Sequence, residues 1–178
     1  MGSMSSGRTV IAAVTVLGAV AVVLRHGDSP LTAVGLVGAV VVLGVLADID
    51  FRTFRLPNNI VGPFAITTFG WLFVAALVAG EWQRLVAAVL IGVLWAGVLL
   101  VGSMVGHVGM GDVKLAFPIG MIVGWLGLNA FLVSLVVAVV SSGLVGLVVA
   151  VAVKKRSEWP EIPYGPFLAL GAVAGMAI

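Results

Sequence analysis

Long apolar stretches dominate the chain, and polar residues fall in short clusters between them. Charges and clusters of Pro, Asn and Gly divide it into seven apolar runs: about 10–24, 31–47, 59–79, 84–105, 112–127, 128–153 and 164–178. A helix needs about 20 apolar residues to cross the hydrocarbon core of a bilayer. The middle runs approach or meet that length, whereas the first, at roughly 15 residues, and the last are short. No small-residue cleavage site leads from the first run into a soluble domain, so it reads as a retained helix and not as a signal peptide. Ser29-Pro30 opens the second run with a residue suited to the first turn of a helix. The expected fold is all-α, a polytopic membrane bundle of six or seven transmembrane helices.

Composition supports the choice of solvent. Of 178 residues, 62% are hydrophobic and 9% charged, where a soluble domain carries about 25% charged residues. The mean hydropathy is +1.28. Lipid is therefore the expected surroundings of the chain. The 24 glycines suit closely packed membrane helices. Met1 to Ser3, followed by a second methionine at Met4, resemble an appended start. Residues 1–8 are read as an N-terminal tail and 9–178 as one membrane-embedded domain.

Charge placement predicts orientation. The N-terminus and the second, fourth and sixth loops hold Arg8, Arg52, Arg55, Lys114, Lys154, Lys155 and Arg156, while the other side holds Arg25 and Arg84. Basic residues favour the cytoplasmic side, which places the N-terminus and those loops there. Spread in this way, the basic residues form no nucleic-acid footprint. Cysteine is absent, which excludes disulfides, thiolate metal sites and a cysteine nucleophile.

Chemistry must come from few groups. The acids are Asp28, Asp48, Asp50, Glu81, Asp112, Glu158 and Glu161. Asp28, Glu81, Glu158 and Glu161 sit in loops and read as solvated charge. Asp112 follows Gly109-Met110-Gly111 and opens an apolar run. The two glycines would let another backbone approach its carboxylate. The plainer alternative is a capped helix after a glycine turn. Asp48 and Asp50 end the second run, where an acid at a membrane boundary is costly without a partner or a task. Arg52 or Arg55 could be that partner. Two residues apart on a helix, Asp48 and Asp50 do not share a face, so only one is expected to meet Asp112. His26 and His107 are expected on opposite sides, so no metal site is predicted, and no Ser-His-Asp spacing stands out. Two carboxylates sharing a proton can hydrolyse a peptide bond without a metal or cofactor. A small transporter or proton relay, or a non-catalytic assembly subunit, are the competing classes.

The segment from Asp50-Phe51-Arg52 to Leu56-Pro57-Asn58 resembles the first catalytic motif of the type IV prepilin peptidases. Gly109-Met110-Gly111-Asp112-Val113-Lys114-Leu115 resembles their Gly-x-Gly-Asp motif. The stretch from Ile162-Pro163-Tyr164-Gly165-Pro166-Phe167 to Gly171 is similar to their final-helix motif, with Tyr164 where Phe is common. The spacing to Pro57, seven residues on, matches Asp50 and not Asp48 to the family aspartate. The resemblance implies that Asp50 and Asp112 are catalytic, with Gly109, Gly111, Lys114, Pro57 and Asn58 as positioning or motif residues. It implies a multi-pass enzyme of the prokaryotic cytoplasmic membrane, with both aspartates facing the cytoplasm. Its partner would be a pilin-like precursor with a basic leader before a hydrophobic helix. Without cysteines, the chain resembles the short peptidase-only form of Tad/Flp-type pilus systems and, more distantly, archaeal preflagellin peptidases. N-methyltransferase activity is not expected of that form.

Overall fold

The computed structural model describes residues 2–27, 29–104, 109–152 and 163–178, with side chains from residue 7 onward. Asp28, His107, Lys154, Lys155, Arg156, Glu158, Glu161 and Ile162 lie outside that set. The described residues form seven helices: α1 (Gly2–His26), α2 (Pro30–Thr53), α3 (Asn58–Ala79), α4 (Trp82–Met104), α5 (Met110–Leu126), α6 (Leu128–Ala152) and α7 (Gly165–Met176). The expected all-α membrane bundle is what is seen. Five helices, α1 to α4 and α6, are long and apolar enough to cross a membrane. The short first run proves to be the later part of a longer helix. The polar turns before it also wind, and Arg8 there reaches Asp48 of α2 at 3.6 Å.

Local chemistry sets the boundaries. Pro30 begins α2, where its missing N–H costs nothing. Gly80 closes α3 at φ 72°, a left-handed conformation that suits glycine. Pro57 stands just before α3, and its carbonyl accepts the N–H groups of Ile60 and Val61 at 3.0 and 3.1 Å.

Helix α5 is the axis of the bundle. Leu115, Ala116, Ile119, Gly120, Met121, Ile122, Val123 and Gly124 are all buried along it. The outer helices point large apolar side chains outward, among them Leu17, Ile66, Leu90, Val98 and Leu147, as expected where the surroundings are lipid. Between α4 and α5 the contact is backbone on backbone. Ala88 and Gly92 face Gly120 and Gly124, a small residue every fourth position on both helices. A Cβ added at Gly120 would stand 2.7 Å from the Cα of Gly92, and one at Gly124 would stand 3.0 Å from the Cα of Ala88. Helix α7 uses the same device on α6, where a Cβ at Gly175 would lie 2.5 Å from the Ala130 carbonyl oxygen.

With backbone as the obstacle, neither helix can yield by turning a side chain. Gly120→Val is expected to destabilise the bundle by at least about 1–3 kcal/mol, the range for an overpacked core. Gly70→Ala is the control, since a Cβ there meets nothing within 4 Å. Thermal midpoints of the two variants in one detergent check this.

Candidate active site

The helix ends that form one side of the bundle carry most of the polar chemistry. Asp50 lies in the last turn of α2. Its position follows from the 3.6-residue period: Leu36, Ala39, Val40, Leu43, Leu46, Ala47 and Asp50 form the buried stripe of that helix. Asp50 is therefore carried into the interior, and only 4% of it is exposed. Asp48 stands off the stripe, where Arg52 binds it through two hydrogen bonds and Arg8 approaches it from α1. Asp50, and not Asp48, lines the cleft that Asp112 also lines.

The Asp50 carboxylate accepts the backbone N–H of Gly165 at 3.0 Å. Gly165 opens α7, so the bond uses an amide that an α-helix leaves unpaired at its start. The positive end of the helix dipole also favours a carboxylate there. Glycine is required at this point. A Cβ at position 165 would stand 2.6 Å from Asp50 Oδ2 and 3.1 Å from its Cγ. Gly165 was not among the expected site residues. The signal was present as Gly165-Pro166 at the head of a short apolar run, but a role played by a backbone amide leaves no side chain to read.

Asp112 sits in the first turn of α5. The Gly109 carbonyl accepts its N–H at 3.1 Å and that of Val113 at 3.3 Å. Asp112 is 8% exposed, and its Oδ1 has no hydrogen-bond partner among the described residues. The neighbouring glycines make room within the protein itself. A Cβ at Gly109 would lie 3.1 Å from Asp112 Oδ2, and one at Gly111 would lie 2.9 Å from the Cβ of Leu56.

Asp50 and Asp112 line one cleft of about 360 Å³, together with Phe54, Arg55, Leu56, Asn58, Gly111 and Lys114. The chain turns sharply to build it. Phe54 adopts a left-handed conformation at φ 52° and donates its N–H to the Asp50 carbonyl at 2.8 Å. That conformation is uncommon for a bulky residue and costs on the order of 1–3 kcal/mol. It ends α2 within one turn of the carboxylate. Lys114 Nζ donates to Asn58 Oδ1 at 2.9 Å, tying α5 to the start of α3 at the cleft edge. This pairing was not legible beforehand, because the two residues are 56 apart. His26 lies at the far end of the bundle, its Nε2 3.0 Å from the Met176 carbonyl oxygen.

Fold and site together define a polytopic helical membrane protein with two aspartates buried in a single cleft at one end. The sequence model of the type IV leader peptidase family matches residues 36–151, and the chain belongs to that family. Two curated relatives from Burkholderia pseudomallei, of strains 1026b and K96243, are each 32% identical over 153 residues. Both carry the name prepilin leader peptidase/N-methyltransferase. The match covers 81% of this chain and 45% of each relative, so the chain spans less than half their length. No solved structure matches the chain at a significant level.

The two acids of α2 differ in what they support. Asp48→Ala removes partly exposed ion pairs, and an expected cost of about 0.2–1 kcal/mol follows. Gly165→Ala forces the Asp50 carboxylate aside against a packed interior, with an expected cost of about 1–3 kcal/mol. Thermal unfolding in detergent should rank Gly165→Ala as clearly the less stable variant.

Proposed function

We propose that this chain is a membrane aspartic endopeptidase that removes the basic leader from pilin-like precursors at the cytoplasmic face of the membrane. The observation that carries the reading is the burial of Asp50 and Asp112 in one cleft, with Asp112 Oδ1 left without a hydrogen-bond partner among the described residues. Family membership and the leader peptidase named among the relatives supply the substrate class.

Two carboxylates in one cleft resist carrying two negative charges, so the pair retains a single proton. The ionised partner takes a proton from water as the water oxygen attacks the scissile carbonyl carbon. The protonated partner donates its hydrogen bond to the carbonyl oxygen and polarises it. Collapse of the tetrahedral intermediate breaks the C–N bond. A proton passes from the carboxyl pair to the departing amine, leaving a carboxylic acid on the leader and a free amine on the mature chain. Asp50, already bound to the Gly165 amide, is the more firmly placed of the two. Lys114, held by Asn58, positions the cleft edge.

The cytoplasmic orientation rests on charge. Arg8, Arg52, Arg55 and Lys114 stand at the end of the bundle that bears the site, while Arg25 and Arg84 stand at the other. The absence of cysteine makes a direct test simple. A single Gln83→Cys variant is expected to react with an impermeant maleimide from outside intact spheroplasts. Labelling only after lysis would reverse the proposed orientation.

The chemistry is tested by cleavage of a co-expressed pilin-type precursor, with the cut site read by mass spectrometry. Asp50→Asn and Asp112→Asn are each expected to lower cleavage by at least about 100-fold, the scale of a lost acid–base group, while both variants still insert. Asp48→Asn is expected to retain cleavage, since Asp48 faces away from the cleft. Retained cleavage in either of the first two would sink the two-aspartate mechanism.

A further inference from the structure

Beside the aspartate cleft lies a second, larger groove of about 660 Å³, formed by α3, α4 and α5. Its walls are apolar, with Val61 and Ala65 from α3, Val93 and Leu100 from α4, and Val113 and Phe117 from α5. Among the described residues that line it, the polar ones are Asn58 and Lys114, and these two also line the aspartate cleft. The groove and the cleft are therefore continuous, joined at the hydrogen bond between Lys114 and Asn58. Along α4 the lining runs from Val93 to Leu100, about 10 Å or two helical turns.

Consecutive helices α3 and α4 close against each other near their connecting turn, where Phe73 packs edge-on to Trp82 at 5.6 Å. They part toward the site, and α5 forms the floor between them. Two glycines line the opening, Gly62 on α3 and Gly97 on α4. Unlike Gly92 and Gly120, they bring no helices of this chain together, since a Cβ at either would meet nothing within 4 Å. Small residues with empty space before them admit another helix backbone in lipid. At the site end of this path stands the buried Asp112 Oδ1, which has no hydrogen-bond partner among the described residues.

We infer that the α3–α4–α5 groove receives the first turns of the precursor's apolar helix, with the scissile bond just beyond it at Asp50 and Asp112. The inference rests on the peptidase reading and deepens it. A helix seated between Gly62 and Gly97 places its own N-terminal end at Asn58 and Lys114. The peptide that precedes it then enters the cleft in extended form. The groove supplies the affinity and the register, and the cleft supplies the chemistry.

The test uses the full chain in nanodiscs and two synthetic substrates. One carries a basic leader, the cut site and an apolar helix of roughly 20 residues; the other stops after the cut site. Ala65→Leu and Gly97→Leu are expected to lower the preference for the helix-bearing substrate at least about tenfold, through KM and not kcat. Gly70→Leu, on another face of α3, should leave that preference as it is. Unchanged preference in both groove variants overturns the inference. Photocrosslinking in the Asp112→Asn chain serves where a variant fails to fold. A benzophenone side chain at Ala96 should capture the helix-bearing peptide, and one at the outward-facing Val136 of α6 should not. Capture of lipid alone at Ala96, or equal capture at both positions, also overturns it. Capture at Ala96 by a protein that cleaves neither substrate would remove the peptidase reading and leave the groove as a docking site for apolar helices.

Discussion

Two carboxylates buried at one end of an apolar bundle are the constraint on which the rest of this structure depends. Lipid cannot solvate them, and burial without compensation is costly. The compensation seen here is backbone. Asp50 rests on the first free amide of α7, and Asp112 sits in the first turn of α5. Both sites draw on helix starts, which offer unpaired N–H groups and a favourable dipole without adding a side-chain charge. Basic side chains are close by, but Arg52 is engaged by Asp48 and Lys114 by Asn58, and Arg55 lines the cleft without an ion pair to either aspartate. A direct lysine or arginine partner would hold a carboxylate fully ionised. Amide partners leave a shared proton between the acids within reach.

That arrangement dictates the packing. For Gly165 to reach Asp50, α7 must sit low against α2, and its far half must then nest into α6. Gly175 allows this, since any side chain there would strike the Ala130 carbonyl. For Asp112 to face the same cleft, α5 must run through the middle of the bundle. Gly120 and Gly124 let α4 approach it closely enough to exclude lipid. Part of the glycine content thus serves the placement of the two acids, through Gly165, Gly175, Gly120 and Gly124.

Much of this was legible in the sequence. Seven apolar runs became seven helices, because in lipid every backbone group must be satisfied within its own segment and a long apolar run has little other choice. The motif spacing pointed to Asp50 over Asp48, and in the structure the helical period sets Asp50 on the buried stripe of Leu36, Leu43 and Leu46. What was not legible depended on contacts between distant segments. Lys114 and Asn58 meet only after α3 and α5 have packed. Gly165 acts through an amide that every residue but proline possesses, so its identity alone could not mark it. Gly109 and Gly111 were read as letting another backbone approach; within the chain, a Cβ at these positions would meet Asp112 and Leu56, contacts that only the fold could bring into view.

Depth separates the peptidase reading from a proton relay. A relay needs acids spaced through the membrane, near mid-depth or along a path. Asp50 is in the last turn of α2 and Asp112 is the third residue of α5, so both stand at one boundary. The described acid at the far end, Glu81, pairs with Arg84 on the same surface at 2.8 Å. Between these ends the interior of α5 is apolar from Leu115 to Trp125. No side chain along that axis could hand a proton onward. A boundary position suits the proposed hydrolysis, which needs water beside a bond that enters from lipid, and the aspartate cleft meets an apolar groove at that boundary.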